Sequence, residues 1–176
     1  IPVVAEAVGR IISFNSGKAK ITARTNTTVV VVTITTAFAN TDATAAFNLG
    51  AFSDTTGHPS CVSFFEQRLV FAGTTDEPQT LFFSKAGDYE NMTTGTNADD
   101  AMVYTIASNQ VNKIRYLKSV RTLLIGTTGG EFSVSADGTD AAVTPTNITI
   151  KRQSSFGAAN VDAQPSGNAV LFLQRA

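Results

Sequence analysis

The chain has 176 residues, a formal net charge of −1, 43% hydrophobic residues and 15% charged residues. That length holds one medium domain or two small ones, with enough apolar mass for a core. The near-neutral charge gives the whole chain no electrostatic case for nucleic-acid or membrane binding. The lone Cys61 and lone His58 exclude an intrachain disulfide, a Cys-rich metal site and, within one chain, a two-His metal site or a His relay.

Ordinary globular domains carry about a quarter charged residues. So sparse a charge here predicts a surface partly covered by neighbours in an assembly. The longest apolar stretch, TVVVVTITTAF at 28–38, is too short and too broken by threonine to span a bilayer. Its β-branched residues favour a strand. No signal peptide is visible. A chain that opens on Ile1-Pro2 and stops within a strand-like AVLFLQRA is expected to be a piece of a longer protein.

The elements read as all-β from the first residues onward. GRIISFN (9–15) and SGKAKITART (16–25) flank Asn15-Ser16-Gly17, a hairpin signal because Asn and Gly tolerate positive φ. TTVVVVTITTAF (27–38) pairs back after Thr25-Asn26. Residues 1–50 are thus expected to form a small antiparallel β-meander or barrel, and 51–58 a connector within the looser stretch 39–60.

Residues 59–176 carry an internal repeat. QRLVFAGTTDEPQTLFFSKAGD (67–88) can be set against VRTLLIGTTGGEFSVSADG (120–138). Each gives a polar or basic pair, an apolar run, Gly-Thr-Thr, a turn and a second strand. GNAVLFLQRA (167–176) resembles the start of a third copy, with Val70, Leu124 and Leu171 in correspondence. AMVYTIAS (101–108), IRYLKS (114–119) and TNITIKRQSS (146–155) supply further strands. A spacing of roughly 50 residues is that of a four-stranded propeller blade. The expectation is a partial β-propeller of about two and a half blades, continuing beyond this chain, since closure takes at least about four.

Several of these blocks also carry a family resemblance. GHPSCVSFFEQRLVFAGTTDEPQTLFFSKAGDYENM, DDAMVYTIASNQVNKIRYLKSVRTLLIGTTGGEFSVSADG, TPTNITIKRQSSFGA and GNAVLFLQR, in this order, resemble the tail nozzle proteins of short-tailed phages and related prophages, also called tail tubular protein B. VGRIISFNSGKAKITA and FNLGAFSDTTG are similar to the family's preceding segment. Where family members commonly have Trp, this chain has Phe47, Phe52 and Phe132. The resemblance implies a structural virion protein, made in the bacterial host cytoplasm. It implies a ring of identical subunits, usually hexameric, around the channel through which the genome leaves. The implied partners are other tail and adaptor proteins and genomic DNA passing without sequence-specific binding. No enzyme activity, catalytic residue, cofactor, metal or small-molecule substrate follows from it.

The chemical candidates each have a structural counterpart. His58-Pro59-Ser60-Cys61 puts a base beside two nucleophiles, but catalytic partners normally meet across a fold with a third group orienting the base. Asp99 and Asp100 with Asn97 offer oxygen ligands for a hard cation, without any recognised calcium-loop spacing. Gly129-Gly130 lacks the following helix that a phosphate loop needs, and Asp76-Glu77-Pro78 reads as a turn. Lys113, Arg115, Lys118 and Arg121, with Tyr116 among them, form either a phosphate-contacting stripe or a charged strand edge. On strict alternation, Lys113, Arg115 and Leu117 share one face, and Ile114, Tyr116 and Lys118 the other. Lys151-Arg152-Gln153 reads as a polar tip, and Arg68 as a strand residue that snorkels its charged head to an edge or interface, or pairs with an acid on a neighbouring strand. The Asn-X-Thr triplets at Asn26, Asn91 and Asn147 are expected by chance in a chain with 25 threonines. A carbohydrate- or receptor-binding β-module of a phage or bacterial surface protein is the alternative function. A hydrolase on a propeller scaffold is disfavoured by the single histidine.

Overall fold

The computed structural model describes residues 7–107, 110–138, 141–167 and 169–175, and among them there is no α-helix. The chain divides into two compact units, Ile1–His58 and Pro59–Ala176.

The first unit is an open four-stranded antiparallel sheet and not a barrel. Its strands are β1 (Ile11–Phe14), β2 (Gly17–Arg24), β3 (Val30–Thr36) and β4 (Asn48–Leu49), in the order β3-β2-β1-β4. The β1–β2 hairpin turns on Asn15 (φ 44°) and Ser16 (φ 60°), as a two-residue type I′ turn requires. Gly17 serves a different purpose from the one its position suggests. A Cβ there would lie 2.2 Å from Phe38 Cδ1, so glycine lets the Phe38 ring, stacked on Phe14 at 4.3 Å between centroids, lie across the strand. Residues 51–58 are a tight turn within this unit. Buried Ser53 takes the backbone N–H of Thr56 on its Oγ at 3.0 Å, and Gly57 donates to the Ser53 carbonyl at 2.8 Å.

The second unit contains two four-stranded antiparallel sheets of strands consecutive in sequence. The first comprises β5 (Cys61–Phe65), β6 (Arg68–Ala72), β7 (Thr80–Phe83) and β8 (Met102–Thr105). The second comprises β9 (Ile114–Ser119), β10 (Leu123–Thr127), β11 (Gly130–Ala136) and β12 (Ile148–Ser154). A hairpin of β13 (Gln164–Ser166) and β14 (Ala169–Leu171) follows. The repeat unit at 67–88 is preceded by a strand that its sequence pattern does not mark. β5 and β6 are separate strands joined through Glu66 (φ 46°) and Gln67 (φ 59°), a tight turn with no Gly, Asn or Asp to announce it.

The two sheets share one core. Phe65, Val70, Leu81 and Phe83 of the first meet Ile114, Leu117, Leu123, Ile125 and Val134 of the second, all buried. A single Phe83→Ala change in such a core costs about 3–5 kcal/mol. Tyr116 points out of this core and packs with Ala158, Ala163, Val170 and Phe172, which joins the second sheet to the β13–β14 hairpin.

A β-bulge sets that division. Gly126 pairs with Tyr116 and Thr127 with Ile114, which leaves Arg115 without an opposite residue. Two residues against one resets the alternation. Leu117 therefore joins Ile114 in the large core and does not share a face with Lys113 and Arg115. Gly126 is required here, because a Cβ would lie 2.0 Å from Tyr116 Cε1.

Candidate functional site

The His58-Ser60-Cys61 run does not assemble a nucleophile. The His58 ring lies 3.2 Å from Asp54 Oδ1, both side chains well exposed. Ser60 Oγ donates to the Gly73 carbonyl at 2.9 Å. Cys61 is buried, its Sγ 3.8 Å from the Ile114 carbonyl, and burial pushes its thiol pKa up. A reactive thiol needs the opposite shift.

The Asp99–Asp100 loop already holds its own cations. Lys85 Nζ sits 2.8 Å from Asp99 Oδ2 and 3.7 Å from Asp100 Oδ1, while Asp100 Oδ2 accepts from the Asn97 backbone N–H at 3.0 Å. Beneath the loop, Arg68 is 2% exposed. It donates to the carbonyl oxygens of Ser84 (2.8 Å), Ala98 (2.6 Å), Asp100 (2.7 Å) and Asp99 (3.3 Å). Arg68 is thus an interior clamp and not a snorkelling edge residue. No group of three or more His, Cys, Asp or Glu side chains placed to hold a metal occurs among the described residues.

The basic stretch on β9 is tied into the fold. Lys118 Nζ pairs with Asp162 Oδ2 at 2.7 Å, and Arg115 Nη1 donates to Asn160 Oδ1 at 3.2 Å. Both bonds run to the β12–β13 connection, while Arg121 stays exposed. No continuous phosphate stripe results. Thr128-Gly129 forms the β10–β11 turn and Gly130 already opens β11, paired with Thr127, whose Oγ1 donates to the Gly130 carbonyl at 2.6 Å. In the turn after β6, Glu77 donates its N–H to Thr74 Oγ1 at 3.0 Å, and the Pro78 carbonyl accepts from Ile114 at 2.9 Å. On β12, Lys151, Arg152 and Gln153 are exposed, with Arg152 Nη2 on the Gly129 carbonyl at 2.8 Å. The sequon asparagines build turns. Asn26 Oδ1 accepts from Thr28 N–H at 2.8 Å, Asn91 Oδ1 from Thr93 N–H at 3.0 Å and Asn147 Oδ1 from Thr144 N–H at 2.7 Å.

Two concavities escape a residue-by-residue reading of the sequence. One, of about 460 Å³, lies on the first unit and is lined by residues of β1, the β1–β2 turn, β2 and 46–48. The other, of about 610 Å³, lies on the second unit beside Glu66, Arg121 and Ser135. Glu66 is engaged there, since its Oε2 accepts from the Val143 N–H at 2.5 Å. Neither was foreseeable from spacing alone, because each depends on strand register. No family model matches the chain, and comparison with curated proteins gives no match.

Proposed function

We propose that the chain is a structural component of a short-tailed phage tail, part of the nozzle ring around the genome-ejection channel. In this reading its second unit is a partial β-propeller of about two and a half blades. The observation that carries it is the recurrence of one sheet plan: β5–β8 and β9–β12 are both four-stranded, antiparallel and sequential, and share a core. The β13–β14 hairpin then begins a third layer on the Tyr116 side of the second sheet. Repeats of this kind bury their faces only by stacking on neighbours. Large apolar side chains still exposed support further burial in an assembly: Val62 and Phe64 at 59%, Val103 at 46%, Leu171 at 62% and Leu173 at 61%.

The partners in this reading are identical subunits in a ring, usually hexameric in the family it resembles, and other tail and adaptor proteins. Genomic DNA passes without sequence-specific contact, and the location is the virion. The role is geometric and asks no catalysis of the chain. The test is electron microscopy with mass measurement on the protein, alone and mixed with tail proteins of the same phage. Rings with an open centre are expected. A protein that stays monomeric at every concentration, with no ring beside those proteins, overturns the reading.

A further inference from the structure

We infer that the cleft on the first unit is a binding site for an acidic sugar residue of a glycan, a site that the tail reading does not require. Strand register brings its groups together. Lys18 pairs with Ser13 across β1–β2 and with Thr36 across β2–β3, and Ser13 pairs with Asn48 across β1–β4. Side chains directly opposite one another share a face. One cross-strand row therefore reads hydroxyl, ammonium, hydroxyl, amide. Ser13, Lys18 and Asn48 of that row line the cleft of about 460 Å³ with Ser16 and Phe47, and no carboxylate lines it.

These groups are available. Among the described residues Lys18 makes no ion pair, and the side chains of Ser13, Ser16 and Asn48 make no hydrogen bond. Phe47, 38% exposed, adds an apolar wall beside Asn48. Each part matches part of a carboxylated pyranose. The ammonium meets the sugar carboxylate in a charge-assisted bond. Two hydroxyls and a carboxamide, which both donate and accept, meet ring hydroxyls. An aromatic face takes the apolar C–H face of the ring.

Nucleic acid fits this surface less well. Phosphate-backbone binding needs several cations along a track. This face adds only Lys20, in the row of Thr33 and Ile11, and the whole chain carries a formal charge of −1. Several neutral hydrogen-bonding groups around one cation suit a single polyhydroxylated ring better than a run of phosphates.

The experiment titrates the 176-residue protein with oligogalacturonate, by calorimetry and by backbone amide shifts. The comparison ligands are its fully methyl-esterified form and an oligothymidylate of equal length. Expected are binding of the acid form, shifts centred on residues 13–18 and 46–48, and at least a roughly tenfold loss on esterification or in Lys18→Ala. Phe47→Ala should weaken binding as well, while Lys151→Ala should bind as the parent does. Absent binding overturns the proposal, as do equal affinity for the ester, unmoved amides at the cleft, parental affinity in Lys18→Ala, or tighter binding of the oligothymidylate.

Discussion

The Arg68 guanidinium donates to the Ser84 carbonyl at 2.8 Å from a residue only 2% exposed. One side chain thereby closes the end of β7 onto the loop at 98–100, where three more carbonyls accept from it. Removing it takes the donor from the Ser84, Ala98 and Asp100 carbonyls, while the Asp99 carbonyl keeps the Ala86 N–H; unmet acceptors are the expensive side of hydrogen bonding. Arg68→Ala should lower stability by about 2–4 kcal/mol in urea unfolding. Arg68→Lys should recover part of the loss, since an ammonium keeps the charge but not the planar fork. Unchanged unfolding midpoints in both variants would remove the clamp from the account.

The Glu66–Gln67 turn supplies a second test, with a gain at one position and none at its neighbour. Both residues hold positive φ, which costs a non-glycine residue about 1 kcal/mol or more. Gln67→Gly should therefore stabilise the protein by about 0.5–1 kcal/mol. Glu66→Gly should gain nothing net, because it also deletes the acceptor for the Val143 N–H. Chemical denaturation of the two variants decides it. A destabilised Gln67→Gly would show that its side chain matters more than its backbone strain.

The division between what was legible and what was not follows these local reasons. The all-β class and most strands of both sheets are written in β-branched runs separated by turn residues, and the repeat of β6–β7 in β10–β11 is visible as well. The β5–β6 boundary is not, because Phe65-Glu66-Gln67-Arg68 has no turn former and its geometry is imposed by pairing on both sides. The β9 faces are misread by alternation because a bulge at Arg115 depends on its partner strand. β13 contains Pro165, and its three residues are all exposed, so nothing in its composition marks a strand. The cleft on the first unit joins Ser13, Lys18 and Asn48 from three strands, a set that only register defines.

Gly126 and Tyr116 form a lock that a mutant cycle can measure. A methyl group on Gly126 would collide with the Tyr116 ring, and overpacking of this kind typically costs about 1–3 kcal/mol. Tyr116→Ala costs stability by itself through the cavity it leaves among Ala158, Ala163 and Phe172. Combined with Gly126→Ala, the total should fall below the sum of the two single losses, since the clash is gone. Strict additivity would mean that the ring does not rest on Gly126.

The Lys85–Asp99 pair sets part of the acid limb of stability. The hydrogen bond from Lys85 holds the Asp99 carboxyl below its ordinary value of 3.8. A lowered folded pKa stabilises the protein above 3.8 and loses that contribution as pH falls through the folded value. The Lys85 pKa is raised above 10.5, first by the same hydrogen bond, so its share persists below 10.5 and fades as pH rises through the folded value. Lys85→Met should therefore be less stable than the parent at neutral pH, and the gap should close once acid has protonated Asp99. Urea midpoints across the acid range test this. A gap that stays constant down to acid pH would assign the pair no electrostatic role.

Tyr116 governs the alkaline limb. Burial, with the Glu131 carboxylate adding to it, pushes its phenol from the ordinary 10.0 up to about 12. The native state then keeps a proton that the unfolded chain releases, so stability falls as pH rises from 10 towards 12. Tyr116 should give a late phase, well above the ordinary 10.0, in a tyrosinate absorbance titration of the folded protein, and that phase should be missing from Tyr116→Phe. Tyr116→Phe cannot ionise, so its stability relative to the parent should rise steadily across that window. Parallel pH profiles for parent and variant would show that the phenol is no better shielded in the fold than in the unfolded chain.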